Sequence, residues 1–138
     1  MNLKNNFKKI KGYVLLRDGE VYDPFLNLNK VADILIENSI IIKIKKNIPI
    51  KSNYNVIDCK KEIITNGFID LHVHFREPGF EFKETIASGA ISAFYGGYTR
   101  VCTMPNTNPV IDNPELIQYI IDKSQKTPIY IHPIGAIT

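Results

Sequence analysis

Gly67-Phe68-Ile69-Asp70-Leu71-His72-Val73-His74-Phe75-Arg76-Glu77-Pro78-Gly79 (GFIDLHVHFREPG) is the stretch on which the fold turns. Residues 68–75 form an extended apolar run with two histidines near its end, and Pro78-Gly79 forces a turn directly after it. Downstream, residues 81–95 read as a helix rich in small side chains, closed by Gly96-Gly97. Residues 99–104 (TRVCTM) read as a buried strand and residues 105–109 as a loop. Asn113 then caps a second helix with Pro114 in its first turn, and Leu116, Ile117, Ile120 and Ile121 recur at helical spacing. Residues 128–134 are a third β run. The order β-α-β-α-β implies parallel strands with right-handed crossovers.

Upstream the pattern is all-β. Residues 13–16 lead to Asp18-Gly19, read as a turn, and Val21-Tyr22 leads to a stop at Asp23-Pro24. ADILIE (32–37) and IIIKI (40–44) read as a hairpin turning at Glu37-Asn38-Ser39, followed by short strands over 55–59 and 62–65. Residues 1–10 are polar and basic and are expected to be frayed or loosely docked. The change of pattern near Asn66-Gly67 divides the chain into 1–66, a small β-sandwich or meander, and 67–138, an α/β region.

The chain has 138 residues, 44% hydrophobic and 22% charged, with a mean hydropathy of −0.09. This composition excludes a long disordered or fibrous chain. A net charge of +3 is too small to argue for nucleic-acid binding. The most apolar stretch, residues 34–50, is broken by Glu37, Asn38, Lys43, Lys45 and Lys46, so no membrane span is expected, and no signal peptide is read at the N-terminus. Cys59 and Cys102 stand alone, as reduced thiols in a cytoplasmic protein would. A closed (β/α)₈ barrel needs roughly 250 residues, so length alone excludes one.

The chemistry centres on His72 and His74. Positions i and i+2 of a strand point to one side, so both imidazoles project from one strand end, where they can hold one divalent metal, zinc, iron, cobalt or nickel. Two histidines making local hydrogen bonds would read the same way. Asp70, at the same parity, would either orient a ligand histidine or satisfy backbone amides. Arg76 follows at the same parity, at the rim; its guanidinium would grip a carboxylate or pair with Glu77 or Glu81. Asn106, just past the next strand, would donate to the same carboxylate or serve the turn. His132 reads as a structural strand histidine or a third ligand, and Cys102 has no evident base beside it.

GFIDLHVHFREPG, the small-residue helix ending in GGYT (96–99), MPNTNP (104–109) and PIGAIT (133–138) together resemble a dihydroorotase of the bacterial type with an N-terminal β-domain, within the cyclic amidohydrolases. DGEVYDP (18–24), ADILIENSIIIKI (32–44) and VIDCKKEIITNGFID (56–70) resemble the small β-sandwich of that superfamily. The resemblance implies an α/β fold: part of a composite β-sandwich over 1–66, then the first three β/α units of an incomplete metal-dependent TIM barrel over 67–138. It implies His72 and His74 as metal ligands on the first barrel strand, and Arg76 and Asn106 as binders of the substrate carboxylate. The implied reaction is the reversible cyclisation of N-carbamoyl-L-aspartate to L-dihydroorotate in pyrimidine biosynthesis, with one or two divalent ions, most simply zinc. Asn66 departs from the proline usual there, and His132 stands where the family places no ligand.

The family's remaining ligands and its catalytic aspartate belong to later strands, so no catalytic residue is assigned within these 138 residues. The chain alone is therefore expected to be inactive. Its open strand edges are expected to make it dimeric, swapped or poorly soluble, and the complete enzyme a homo-oligomer. The alternatives are a non-catalytic module supporting an aspartate carbamoyltransferase partner, or an allantoinase or hydantoinase. Retention of His72, His74, Arg76 and Asn106 weighs against the first; Arg76 and the segment 104–109 weigh against the second.

Overall fold

A computed structural model describes residues 10–138; most of the segment expected to fray, residues 1–9, lies outside the described residues. The chain divides into two compact units, one running to Asn66 and the other from Gly67 to Thr138.

In the first unit, β1 (Tyr13–Asp23), β2 (Leu28–Glu37), β3 (Ile40–Lys45), β4 (Tyr54–Asp58) and β5 (Ile63–Thr65) form one five-stranded sheet. The order is β3-β2-β1-β4, with β5 also on β1. The described residues of this unit thus make one mixed hydrogen-bonded sheet. β1 does not stop at Asp18-Gly19. It continues through a register shift between Leu16 and Gly19, with Asp18 at φ 57°. β4 runs parallel to its first half and β5 to its second. A bulge and a tight turn draw on the same residues, because both need positive φ, and this is why the turn reading fails here. The hairpin at Asn38-Ser39 does form, with φ 47° and 69°, both positive as a two-residue hairpin turn requires. Asp33 is 1% exposed, and its carboxylate accepts the backbone N–H of Asp18 at 2.9 Å and of Ile48 at 2.7 Å.

In the second unit, β6 (Phe68–Val73), β7 (Tyr98–Thr103) and β8 (Tyr130–Pro133) form a parallel sheet in that order. α1 (Ile86–Tyr95) joins β6 to β7 and α2 (Pro114–Ser124) joins β7 to β8. Phe75, Ile86, Ala90, Val101, Ile111, Ile120, Ile129 and Ile131 make the core between sheet and helices. α1 starts later than the expected residue 81. Thr85 caps it, its Oγ1 accepting from Ser88 N–H at 3.1 Å, while Lys83 N–H closes a turn on the Phe80 carbonyl. Gly89 is required by packing, since a Cβ there would enter the Phe75 ring. Asn113 caps α2 by accepting from Leu116 N–H at 3.0 Å, with Pro114 in the first turn as expected.

Candidate metal centre

β6 and β7 are not in simple register. The pairing shifts between Phe68 and Ile69, then again between Asp70 and Val73, where three steps on β6 match two on β7. The second shift inserts one extra residue on β6 within Leu71–His72, at the first of the two site histidines. Asp70 Oδ1 accepts the His72 backbone N–H at 3.0 Å. Of its two expected roles, satisfying a backbone amide is the one the structure forms; no hydrogen bond links it to either imidazole ring.

His72 and His74 are both exposed, and their Nε2 atoms face each other at 3.2 Å. Two lone pairs at that distance repel unless a proton or a cation lies between them. Two imidazole nitrogens on one tetrahedral zinc ion, each about 2.05 Å from it, would be about 3.3 Å apart. The observed separation fits that ligand pair and equally an N–H···N hydrogen bond between the two rings, the local contact of the alternative reading. On the far side of His74, Nδ1 meets Asn106 Oδ1 at 2.8 Å. An amide oxygen can only accept, so Nδ1 carries a proton, and in the neutral ring Nε2 then keeps its lone pair toward His72. A ligand histidine is typically held in its tautomer this way. Asn106 keeps its Nδ2 hydrogens for another acceptor.

Arg76 is half-buried, and its guanidinium forms no ion pair with the described residues. Both expected partners are engaged with other groups. Glu77 pairs with Lys123 at 3.0 Å, and Glu81 Oε1 accepts Gly79 N–H at 2.9 Å. The loops carrying Arg76 and Asn106 are locked together: Pro78 C=O accepts Asn108 N–H at 3.1 Å. Gly79, at φ +94°, sits against the Asn108 carbonyl oxygen, where any Cβ would collide.

The structure thus brings His72, His74 and Asn106 into contact. His132 lies apart from them. Its Nε2 accepts from Arg100 Nη1 at 3.3 Å, and the Arg100 guanidinium stacks 4.2 Å from the Tyr130 ring centroid. Cys102 pairs with His132 in the β7–β8 register and is a free thiol. Among the described residues, no three of His, Cys, Asp and Glu converge as a metal site would need.

One buried residue near the site escaped the sequence reading. Glu77 is 6% exposed and accepts from Ile86 N–H at 2.9 Å and from the Tyr119 hydroxyl at 2.7 Å. Burial pushes its carboxyl pKa up, but the hydrogen bonds from Ile86, Tyr119 and Lys123, with the lysine charge, outweigh this and hold it below the ordinary glutamate value. Its partners on α2 are some forty residues away, and no local pattern signals them.

The family model for dihydro-orotase-like proteins matches residues 61–138. This chain belongs to the dihydroorotase-like family. It is 44% identical over 126 residues to a dihydroorotase of Acetivibrio thermocellus, covering 91% of the chain and 29% of that protein. It is 47% identical to a dihydroorotase of a Sulfurihydrogenibium species, covering 91% and 30%. Its fold resembles an L-hydantoinase from Arthrobacter aurescens, with a TM-score of 0.73 at 19% identity over 91% of this chain and 28% of that one. A D-hydantoinase from a Thermus species gives a TM-score of 0.66 at 26% identity, over 90% and 27%. The 138 residues therefore span just under a third of the relatives they match, and the two units correspond to part of an amidohydrolase fold. No helix among the described residues is long and apolar enough to cross a membrane.

Proposed function

We propose that this chain supplies half of a metal site and a carboxylate clamp to a cytoplasmic dihydroorotase acting in pyrimidine biosynthesis. In this reading the five-stranded sheet is one layer of a composite β-sandwich, and β6, α1, β7, α2 and β8 are successive parts of a TIM barrel. The 3.2 Å approach of the two Nε2 atoms, with His74 Nδ1 tied to Asn106, is the observation that carries it. His72 and His74 would hold a divalent ion, zinc in the simplest case. When bound, the ion supplies Lewis acidity toward a ring amide carbonyl. Arg76 would grip the substrate carboxylate through two parallel hydrogen bonds, and Asn106 would add an Nδ2 donor while its oxygen holds His74 in place. In the hydrolytic direction water adds to the ring amide carbon, the C–N bond breaks, and the nitrogen takes up a proton. L-Dihydroorotate then becomes N-carbamoyl-L-aspartate.

Two histidines fall short of the three protein ligands a catalytic zinc site normally has. The remaining ligands and the proton-moving carboxylate are proposed to come from residues outside these 138. Assembly as a homo-oligomer, or with an aspartate carbamoyltransferase, belongs to the same proposal. The test is an assay of dihydroorotate hydrolysis with zinc. The chain alone should show no turnover, and turnover should appear when it is co-expressed with the unmatched remainder of the Acetivibrio thermocellus relative. Normal turnover by the chain alone would overturn the half-site reading. Turnover of allantoin but not of dihydroorotate would overturn the substrate assignment.

A further inference from the structure

Glu77 takes no part in the clamp or the metal site, yet it is a buried acid directly beside Arg76. Its carboxylate is shared between two helices. Oε2 accepts from the first N–H of α1, at Ile86, while Oε1 takes the Tyr119 hydroxyl and faces Lys123 Nζ, both on α2. One side chain therefore ties the segment leaving β6 to the start of one helix and the flank of another. Phe75 and Glu77 on either side of Arg76 are buried while Arg76 itself is half-exposed, so its backbone is anchored from both neighbours. The backbone on either side is also held: Arg76 C=O accepts Phe80 N–H at 3.0 Å, and Pro78 C=O accepts Asn108 N–H at 3.1 Å.

We propose that the Glu77–Tyr119–Lys123 network positions Arg76, fixing the height and rotation of its guanidinium at the rim of the histidine pair. This rests on the reading of Arg76 as the carboxylate clamp and assigns that clamp its support. A bidentate contact needs both planes aligned, and a long arginine on a loose backbone loses that alignment along with the entropy of ordering it. Packing alone would hold the segment down but let it slide, whereas three directional hydrogen bonds to one carboxylate do not. Glu77 is a positioning residue, since it reaches neither the proposed substrate nor the metal.

The test uses this chain in the zinc-loaded complex formed by co-expression with the unmatched remainder of the Acetivibrio thermocellus relative, where the proposed site is complete. L-Dihydroorotate is titrated in while the Arg76 Nε–Hε NMR signal is followed, and zinc affinity is measured separately. The unmodified chain should give a saturable shift, and Arg76→Lys should abolish it. Tyr119→Phe and Lys123→Met, which alter the network from its more exposed end, should each weaken dihydroorotate binding by about tenfold, a typical coupling within one hydrogen-bond network, and leave zinc affinity unchanged. A lower Tm with unchanged dihydroorotate affinity in both variants would show that Glu77 only holds the fold; the clamp reading would survive and this inference would not. No saturable Arg76 response in the unmodified chain would overturn the clamp reading and the inference together.

Discussion

Each unit buries one carboxylate that pins an irregular piece of backbone, and the two are satisfied differently. Asp33 lies within the five-stranded sheet and takes two backbone N–H groups, one at the β1 bulge and one at Ile48. Glu77 lies between helices and takes one backbone N–H, one phenol and one lysine. The sheet acid uses donors that every residue carries, so almost any surrounding sequence could supply them. The helix acid uses side chains, and it stands next to the unpaired arginine. A buried acid served by backbone holds a shape; one served by side chains can set the position of a neighbour.

The comparison breaks first at Asp33. Asp33→Ala leaves two amides without their acceptor and should cost roughly 2–4 kcal/mol, read as a lower urea midpoint. A loss below about 0.5 kcal/mol, the level of an ordinary surface change, would mean that water replaces the carboxylate. Gly79→Ala comes next. Positive φ and the collision with the Asn108 carbonyl should cost about 2–3 kcal/mol, and zinc binding should weaken with it if the two loops move as one. A full-strength zinc site in a destabilised protein would separate loop locking from the metal centre.

Asn106→Ala should leave the fold intact and weaken zinc binding by roughly tenfold through loss of the His74 tautomer lock, measurable by calorimetry. Unchanged affinity would mean that the 2.8 Å contact does not orient the ring.

The pH dependence sharpens the contrast from the other side. The Glu77 carboxyl is held below the ordinary value, so its contribution is complete above that value and fades as pH falls through the lower folded one. Its hydrogen bond and charge raise Lys123. Burial raises Tyr119, and Glu77 raises it further. Their share is complete below the ordinary lysine and tyrosine values and fades as pH rises through the higher folded ones. Urea midpoints against pH should therefore form a plateau with two shoulders, and Glu77→Gln should flatten the acid shoulder. An unchanged acid limb in that variant would locate the acid sensitivity elsewhere. The smallest effect belongs to the surface pair Arg17–Asp18, 3.5 Å apart and about two-fifths exposed on each side. Arg17→Ala should shift stability by less than about 0.5 kcal/mol.

Features decided within a few residues were legible in the sequence. His-x-His spacing, the Asn113-Pro114 helix start and the Asn38-Ser39 hairpin each follow from local geometry. Asp18-Gly19 was legible as a positive-φ site but not as a bulge, because a second strand decides between bulge and turn. The start of α1 moved because Thr85 with Ser88 outcompetes Glu81 as a first turn. Glu77 and the inward role of the Asn106 oxygen were not legible. Each depends on a partner more than thirty residues away, and an acid beside an arginine reads as a surface pair until the helices are in place.

The extra residue in β6 has a consequence for how this segment can change over generations. Three steps on β6 span two on β7 here, so one residue removed would erase the bulge and one added would enlarge it. The site therefore depends on a count as well as on its letters. Loops around it can grow or shrink, but an in-frame loss of one codon at Leu71 would erase the bulge and re-aim the side chains at its position, His72 first, while leaving both histidines in the gene.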